Sequence, residues 1–298
     1  MDSRTDTATS EVELVLDAHA ELGEGPTWHA AESALVWVDI TRRLVHRYTP
    51  ATGRDESIDV GQHVGAAAPR AAGGLVLALR DGFGILDTAT GRVEMIADIE
   101  ADHPGNRMND GKCDSAGRFW AGTMAYDNRP GAGALYRLET DHHVVKVLSD
   151  VTISNGIGWS PDDRLMYYID TPTLGVDVFD YDAGTGSIER RRRLITIPPE
   201  AGSPDGMTVD SDGFLWVALW RGWAAHRYSP EGVLDRVVKL PVARVTSCVF
   251  GGPDLADLYI TSASIELSPD ALRDQPHAGG LFRSRPGVVG LPQHSFKG

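Results

Sequence analysis

The stretch Ser203–Trp220, SPDGMTVDSDGFLWVALW, reads as two short β-strands joined by a tight turn. An acidic residue, Asp205, lies in a Pro-Asp-Gly sequence where the first apolar segment begins. The polar sequence Asp210–Gly213 separates that segment from an aromatic-rich run that ends at Trp220. Short apolar runs bounded by Asp, Gly and Pro are typical of antiparallel hairpins. The stretch therefore predicts a strand, a turn and a second strand, with a carboxylate at the start of the first.

The same order of loop, apolar strand, polar turn and aromatic-rich strand recurs six times along the chain. The second strands are predicted at Leu35–Ile40, Leu75–Leu79, Arg118–Thr123, Leu165–Asp170, Phe214–Leu219 and Leu258–Thr261. Their centres are about 40 to 48 residues apart, which is the period of one four-stranded propeller blade. Helical periodicity is nearly absent, and Pro269–Asp274 is the best candidate for a helix. We therefore predict an all-β chain folded as a six-bladed β-propeller, since a β-sandwich or a pair of barrels would not produce this period.

The N-terminal part of the sequence has two segments of different character. Residues 1–10 are polar and are predicted to be a disordered tail, whereas Glu11–Ala18 alternates like a β-strand. That strand is expected to complete the last blade, because a closed ring leaves no long free sheet edge. Residues 11–298 are accordingly predicted to form a single propeller domain.

The composition limits the kinds of partner. The net charge is −14 and the sequence pI about 5.1, which excludes nucleic acid or an anionic membrane as the main partner, because both require a basic face. The one basic run, Arg190–Arg193, follows a Gly-rich turn and predicts a solvated hairpin arm. The sequence contains no uninterrupted apolar run of about 18 residues, so it predicts no membrane span. Its first residues do not resemble a secretory signal.

The two cysteines, Cys113 and Cys248, form no paired motif and predict reduced, buried thiols. Reduced thiols are typical of cytosolic proteins. The sequence therefore predicts a soluble cytoplasmic protein, either a monomer or a small homo-oligomer.

The residues at the start of each blade provide the candidate site. Counting back about 11 to 13 residues from the centre of each second strand gives Glu24, Val64, Asn109, Asn155, Asp205 and Ser247. Because the innermost strands of a propeller line its channel, these positions are expected to meet at one mouth. The oxygens of Glu24, Asn155 and Asp205 suit one divalent cation, Ca²⁺, Mg²⁺, Mn²⁺ or Zn²⁺. Each residue alone also fits an ordinary turn, and their agreement in register favours the metal site.

Two further polar residues, Arg107 and Asn109 in the sequence NRMNDGK, are expected at the same mouth. A guanidinium and an amide there could bind the hydroxyl groups or the carbonyl of a polyol substrate. The alternative is a plain Asn-Asp-Gly turn beside a surface arginine. The sequence Asp210–Gly213 looks like part of a calcium loop, but its glycine is misplaced and no glutamate follows at position 12, so we interpret it as a β-turn.

Sequence blocks that follow one another along the chain include LGEGPTW, NRMNDGKCDSAGRFWAGTM, SNGIGWSPD, SPDGMTVDSDGFLWVA and TSCVFGG. In this order they resemble the regucalcin/gluconolactonase family of sugar-lactone hydrolases, and the resemblance covers almost the whole chain from about Glu21. The chain has no GxSxG, Walker or HExxH motif that would indicate other chemistry. The resemblance implies a six-bladed propeller with one divalent metal in the channel mouth.

The resemblance also implies roles for individual residues. It assigns metal ligation to Glu24, Asn155 and Asp205 and substrate binding to Arg107 and Asn109. Asp205 would in addition be the general base. Many relatives carry a glutamate just after the AGTMA segment, where this chain has Tyr126 followed by Asp127. We assign Tyr126 as a substrate contact and expect the preferred lactone to differ from glucono-lactone.

The expected activity is metal-dependent hydrolysis of an aldono-lactone, a small-molecule sugar lactone, to its aldonic acid. The metal would polarise the lactone carbonyl while Asp205 takes a proton from the attacking water. Two alternatives use the same residues. One is a metal-dependent phosphotriester or organophosphate hydrolase, and the other is a calcium-binding propeller without enzymatic activity.

Overall fold

The computed structural model describes residues 11–298, and the tail predicted at residues 1–10 lies outside this range. The described chain is almost entirely β-strand and turn. Its one α-helix, α1 (Pro269–Asp274), lies where the sequence predicts it, and the Ser268 hydroxyl caps it by accepting a hydrogen bond from the Ala271 N–H. Single 3₁₀ turns occur at Ala30–Glu32, Thr171–Thr173 and Pro199–Ala201. No helix within residues 11–298 has the length and apolar character needed to span a membrane.

The strands form six antiparallel sheets of four strands each, and each sheet is one blade. Blade 1 contains β2 (Gly23–His29), β3 (Ala34–Asp39), β4 (Leu44–Thr49) and β5 (Arg54–Asp59). Blade 2 contains β6 (Val64–Pro69), β7 (Leu75–Leu79), β8 (Gly82–Asp87) and β9 (Arg92–Asp98). Blade 3 contains β10 (Asn106–Cys113), β11 (Phe119–Ala125), β12 (Gly133–Leu138) and β13 (Val144–Val151).

The second half of the ring repeats the arrangement. Blade 4 contains β14 (Ser154–Trp159), β15 (Leu165–Asp170), β16 (Gly175–Asp182) and β17 (Ser187–Thr196). Blade 5 contains β18 (Ser203–Val209), β19 (Leu215–Trp220), β20 (Ala224–Tyr228) and β21 (Leu234–Lys239). Blade 6 contains β22 (Val245–Gly251), β23 (Asp257–Ser262), β24 (Leu281–Ser284) and β1 (Val12–Leu16).

The ring of blades is closed. The first strand of the described chain, β1, pairs antiparallel with β24 and so completes blade 6, as predicted from Glu11–Ala18. The innermost strand of every blade packs on the innermost strand of the next, including β22 of blade 6 on β2 of blade 1. All six predicted second strands occupy the second position of their sheets. The prediction of a six-bladed propeller is confirmed, whereas the assignment of residues 11–298 to one domain stays a prediction.

The core lies between neighbouring blades. Each second strand is buried on both faces, because a blade lies against it on either side, and this explains the continuous apolar runs in the sequence. The largest buried side chains include Trp37, Trp120 and Trp216, the aromatic residues at the centres of three second strands. The repeated aromatic position therefore marks the packing layer between blades.

The turn at Asp210–Gly213 has a structural role beyond reversing the chain. The Asp210 carbonyl oxygen accepts a hydrogen bond from the Gly213 N–H, and Gly213 has a φ of +83°. The predicted β-turn is therefore confirmed. The Asp210 carboxylate is fully buried and accepts hydrogen bonds from the Trp216 indole at 2.9 Å and from Arg227 Nε at 2.8 Å. A single carboxylate thus joins the turn to two strands of blade 5.

Blade 3 uses the equivalent aspartate in the related sequence DSAGRFW to reach its neighbour. The Asp114 carboxylate accepts hydrogen bonds from Arg118 Nε at 2.6 Å and from the Trp120 indole at 2.9 Å. It also accepts the hydroxyl of Tyr181, which belongs to β16 of blade 4, at 2.9 Å. This buried cluster therefore ties blade 3 to blade 4.

The C-terminal strap, residues 289–297, crosses the end of the channel opposite to the strand starts. Its backbone hydrogen bonds are made with the ends of the innermost strands and the turns that follow them, at blades 5 and 6 on one side and at blades 2 and 3 on the other. Its backbone bonds join Val289 to Ser211, Gly290 to Leu255, Phe296 to Pro69 and Lys297 to Gly117. Phe296 is fully buried between blades 2 and 3, so the strap is anchored at both ends.

The basic run Arg190–Arg193 lies on β17, the outermost strand of blade 4. Its side chains form ion pairs with two aspartates of the adjacent strand, Arg191 and Arg193 with Asp177 and Arg192 with Asp180. The predicted hairpin arm is confirmed, and two aspartates of the same blade offset part of the positive charge of its four arginines.

Both cysteines are buried and free, as the sequence predicts. Burial raises the pKa of the Cys248 thiol to about 12 and that of the Cys113 thiol well above its usual value. Neither thiol is therefore a ready nucleophile at neutral pH.

Replacing Asp210 by Ala is expected to lower the free energy of unfolding by about 3 kcal/mol, because it removes the innermost partner of the buried Arg227 guanidinium. The matched control is Asp212→Ala in the same turn. Asp212 is 61% exposed and lies 3.3 Å from the same guanidinium, so its loss should cost less than about 1 kcal/mol. Urea unfolding of both variants measures the difference. Equal losses would contradict the role given to Asp210.

Candidate functional site

All six innermost strands shift register near their start, and those of blades 3, 4 and 5 share one form of β-bulge. In each of these three, two residues of the innermost strand lie opposite one residue of its partner, so the register shifts by one. The bulged pairs are Asn109-Asp110 opposite Gly122, Asn155-Gly156 opposite Ile169 and Asp205-Gly206 opposite Ala218. Bulges bend a strand and change the direction of a side chain. The first residue of each pair is a predicted site residue, so the three side chains occupy equivalent positions at one mouth of the channel.

Blade 1 contributes Glu24, which comes directly before a similar shift of register between Glu24 and Thr27. Its carboxylate is buried and accepts a hydrogen bond from the N–H of Gly25 at 3.0 Å. Gly25 has a φ of +51°, a left-handed conformation that glycine adopts at little cost. Blades 2 and 6 have Val64 and Ser247 at the corresponding places and supply no carboxylate.

A hydrogen-bonded chain of amides joins blades 3 and 4 at the mouth. Arg107 Nη1 donates to Asn109 Oδ1 at 2.6 Å, and Asn109 Nδ2 donates to the Ser154 carbonyl at 2.7 Å and to Asn155 Oδ1 at 3.1 Å. The Nδ2 of Asn155 donates to the Thr171 hydroxyl at 2.8 Å. These bonds fix the orientation of the Asn155 amide and direct its oxygen toward Asn109.

The carboxylates at the mouth are buried close enough to repel one another. Burial raises the pKa of Glu24 to about 8, and the negative charge of Asp110 adds to the effect. The pKa of Asp205 lies well above its usual value, first because of burial and then because of Glu24 and Asp110. No salt bridge within residues 11–298 joins Glu24 or Asp205 to a basic side chain. The mouth therefore groups carboxyl groups that have no salt-bridged basic partner within residues 11–298 and that would be ionised more readily beside a bound cation.

This set of donors fits a divalent metal. Two carboxylates and one amide oxygen are hard ligands, which suit Ca²⁺, Mg²⁺ or Mn²⁺ better than Zn²⁺, an ion that favours nitrogen and sulfur. Across residues 11–298, no three His, Cys, Asp or Glu side chains are grouped so that they could hold a metal by themselves. A metal at the mouth would therefore depend on the amide of Asn155 as well as on Glu24 and Asp205.

Arg107 is the cation nearest to this centre, and it is buried on β10. Its Nη1 atom is bonded to the Met108 carbonyl and to Asn109, but the guanidinium has no salt bridge in the described chain. Burial lowers the pKa of Arg107, while Tyr126, Glu24 and Asp205 oppose that shift. Within residues 11–298, the remaining N–H groups of the guanidinium are thus donors without acceptors.

Tyr126 lies at the rim of the mouth rather than among the buried residues, and it is 46% exposed. Its hydroxyl is 2.8 Å from His63 Nδ1, and its ring centre is 6.0 Å from the Arg107 guanidinium. Burial and the charge of Arg107 lower the pKa of His63, which favours the neutral imidazole at pH 7. The structure therefore brings together Glu24, Arg107, Asn109, Asn155 and Asp205, and places Tyr126 above them.

Sequence reasoning missed three residues at or below the mouth. Asp110 is a third buried carboxylate, at a bulge position where blades 4 and 5 have glycine. Lys112, two residues further along β10, crosses to β18, and its Nζ donates to the Met207 carbonyl at 2.7 Å. His63 comes directly before β6, and its Nδ1 is hydrogen-bonded to the Tyr126 hydroxyl. Asp110 could have been found by aligning the three dipeptides at the strand starts, whereas no sequence signal marks the contacts of Lys112 and His63.

Comparison with known proteins agrees with the predicted resemblance. Regucalcin from Danio rerio is 43% identical over 292 residues, which cover 97% of this chain and 99% of that protein. Regucalcin from Homo sapiens is 39% identical over 295 residues, with the same coverage of both chains.

Two solved structures share the whole fold. A luciferin-regenerating enzyme is 35% identical, with a TM-score of 0.91 over 97% of this chain and 99% of that chain. A calcium-binding protein, regucalcin, from Agrobacterium tumefaciens is 31% identical, with a TM-score of 0.93 over 97% and 98% of the two chains. The family model that matches residues 22–264 is described as the SMP-30/Gluconolactonase/LRE-like region. The chain therefore belongs to the SMP-30/gluconolactonase/LRE-like family.

Proposed function

We propose that the protein hydrolyses a sugar lactone at the channel mouth with the help of one divalent metal ion. The observation that carries this proposal is the pair of buried carboxylates, Glu24 and Asp205, which form no salt bridge with a basic side chain of the described residues and lie beside an oriented amide, Asn155. Membership of a family named after gluconolactonase supports a lactonase type of reaction.

Glu24, Asn155 and Asp205 would hold the metal. The Asn155 amide is already fixed by Asn109 and Thr171, so its oxygen needs no reordering to bind a cation. When bound, the ion supplies the Lewis-acid polarisation of the lactone carbonyl and the positive charge that keeps Asp205 ionised. A relative described as calcium-binding supports a divalent ion at this place.

Residues of the chain supply the general base and the substrate-binding groups. Asp205 acts as general base and takes a proton from the attacking water, for which it has a carboxylate with no competing salt bridge. Arg107 directs its unbonded N–H groups to the hydroxyl or carbonyl oxygens of the substrate, and Asn109 holds Arg107 in place. Tyr126 contacts the substrate at the rim. A lactone is an activated ester, so a mild base is sufficient.

Asp205→Asn separates the two roles of this residue. The amide can still bind a cation through its oxygen but cannot accept a proton, so lactone turnover should fall by at least about 100-fold. Metal binding, measured by calorimetry, should weaken less in Asp205→Asn than in Asp205→Ala, which removes the oxygen as well. Retention of metal-dependent lactone turnover by Asp205→Ala would refute the assignment.

The pH dependence of stability tests the charge at the mouth. The carboxyl of Glu24 titrates near its usual value of about 4.5 when unfolded and at about 8 when folded without metal. Its protonation therefore stabilises the metal-free protein fully below about pH 4.5, and this stabilisation is lost as the pH rises through 8. In a chelating buffer, the melting temperature should fall more steeply between pH 5 and 8 in the wild type than in Glu24→Gln. Parallel curves would contradict the shift.

Substrate assays distinguish this proposal from its alternatives. A panel of 1,4- and 1,5-aldono-lactones and one phosphotriester should be tested with Ca²⁺, Mg²⁺, Mn²⁺ and Zn²⁺, with proton release as the measurement. We expect lactone turnover that requires Glu24 and Asp205. Turnover of the phosphotriester alone would favour a phosphotriesterase. Tight Ca²⁺ binding without turnover would favour a calcium-binding propeller, the alternative that the names of the relatives support.

A further inference from the structure

The side chain of Thr171 connects blades 4 and 5 at the channel mouth. Thr171 begins the 3₁₀ turn that follows β15. Its hydroxyl accepts a hydrogen bond from Asn155 Nδ2 at 2.8 Å and donates one to the Pro204 carbonyl at 2.9 Å. The Pro204 carbonyl belongs to the same peptide group as the N–H of Asp205. One hydroxyl therefore joins the proposed metal ligand of blade 4 to the peptide group that leads into the ligand of blade 5.

The direction of both hydrogen bonds is fixed by the chemistry of the groups. A carbonyl oxygen can only accept, so the single hydroxyl proton of Thr171 is directed to Pro204. The hydroxyl oxygen is then left as an acceptor, and Asn155 must present its N–H₂ group to it. The Oδ1 atom of Asn155 consequently points away from Thr171 and toward Asn109 at the mouth.

The other end of this chain of hydrogen bonds imposes the same direction. A guanidinium can only donate, so Arg107 fixes Asn109 Oδ1 as an acceptor and leaves Nδ2 to donate to Asn155 Oδ1. The donors thus follow one direction through Arg107, Asn109, Asn155, Thr171 and Pro204. Reversal of the Asn155 amide would oppose two donors on one side and two acceptors on the other. Hydrogen bonds aligned in one direction also strengthen one another.

The hydroxyl of Thr171 has a fixed position between the two blades. The Thr171 N–H donates to the Ile153 carbonyl at 3.1 Å, and a β-branched side chain has few rotamers. The backbones of the two blades are close here, since a Cβ on Gly156 would lie 2.8 Å from the Asp205 carbonyl oxygen. The acceptor for the Asn155 amide is therefore in place before any ion binds.

We propose that Thr171 is a positioning residue for the metal centre. Its hydroxyl sets the orientation of the Asn155 amide that presents Oδ1 to the mouth, and it ties this amide to the peptide group of Asp205. The consequence for metal binding rests on the proposed function, whereas the orientation of the amide is a property of the chain alone. Loss of a group that orients a metal ligand typically weakens metal binding by about 10- to 100-fold.

A plain structural link between the two blades is the competing explanation. In that case Asn109 alone orients the Asn155 amide. Loss of the Thr171 hydroxyl would then lower the stability of the fold but leave the amide rigid and the metal affinity unchanged.

Three substitutions separate the two explanations. Thr171→Val removes the hydroxyl and nearly keeps the shape of the side chain, whereas Thr171→Ser retains the hydroxyl. Thr173→Val is the matched control in the same 3₁₀ turn, because the Thr173 hydroxyl donates instead to the Asp170 carbonyl at 2.8 Å.

The first measurement needs no metal. In the ¹⁵N-labelled full-length protein with a chelator, NMR relaxation reports the mobility of the Asn155 N–H₂ group, whose signals are assigned by their absence from Asn155→Asp. We expect an order parameter of about 0.85, the value of a rigid group, in the wild type, Thr171→Ser and Thr173→Val. In Thr171→Val it should fall below about 0.6. A rigid N–H₂ group in Thr171→Val would overturn the proposal.

The second measurement is calorimetric titration of the same proteins with Ca²⁺ and, separately, with Mn²⁺. Binding that is lost in Asp205→Ala is assigned to the mouth. Thr171→Val should weaken this binding by at least about 10-fold, whereas Thr171→Ser and Thr173→Val should stay within about threefold of the wild type. Equal affinities of the wild type and Thr171→Val, or equal losses in Thr171→Val and Thr173→Val, would contradict the proposed role.

Failure of this inference can be told apart from failure of the proposed function. If the wild type binds neither ion at the mouth, metal-dependent hydrolysis is refuted, and the relaxation measurement alone decides whether Thr171 orients the Asn155 amide. If Thr171→Val does not fold, Thr171→Ala lacks the same hydroxyl and provides the same two tests.

Discussion

The burial of like charges at one end of the channel is the constraint on which the structure depends. Glu24, Asp110 and Asp205 are all nearly inaccessible to solvent, and burial raises the pKa of each. Repulsion from neighbouring carboxylates adds to this rise at Glu24 and Asp205. No local element could hold them so close, because each comes from a different blade. Closure of the ring overcomes this repulsion, and the stability of the packed blades offsets its cost. A bound cation would convert the same repulsion into affinity.

The β-bulges of the innermost strands determine how side chains are directed at the channel mouth. The innermost strands would otherwise alternate their side chains between the two neighbouring blades, as the rest of the core does. One extra residue at Asn109, Asn155 and Asp205 breaks this alternation at equivalent places. The glycines that follow Asn155 and Asp205 leave room for close backbone packing, since a Cβ on Gly206 would lie 2.1 Å from the Ser247 hydroxyl. The aspartate after Asn109 departs from this pattern and adds charge.

The fold and most of the candidate site could be predicted because both follow the repeat of the sequence. The period of the aromatic residues predicts six blades, and the same count locates Glu24, Asn155 and Asp205. Contacts outside the repeat could not be predicted. The hydrogen bond between His63 and Tyr126 joins two loops of different blades, and Lys112 bonds to a backbone carbonyl 95 residues away. The sequence LPQHSFKG contains no period, so its path across the channel depends on tertiary packing alone.

The strap also changes how the ring can come apart. β1 fastens one end of the described chain into blade 6, while Phe296 fastens the other end between blades 2 and 3. A solenoid frays from its terminal repeats, because each of those has only one neighbour. In this molecule no blade is terminal, and the last residues are pinned halfway round the circle from the first. Loss of a single blade would open the ring and remove a packing partner from each of its two neighbours, so cooperative unfolding of the whole ring is the natural consequence of this double closure.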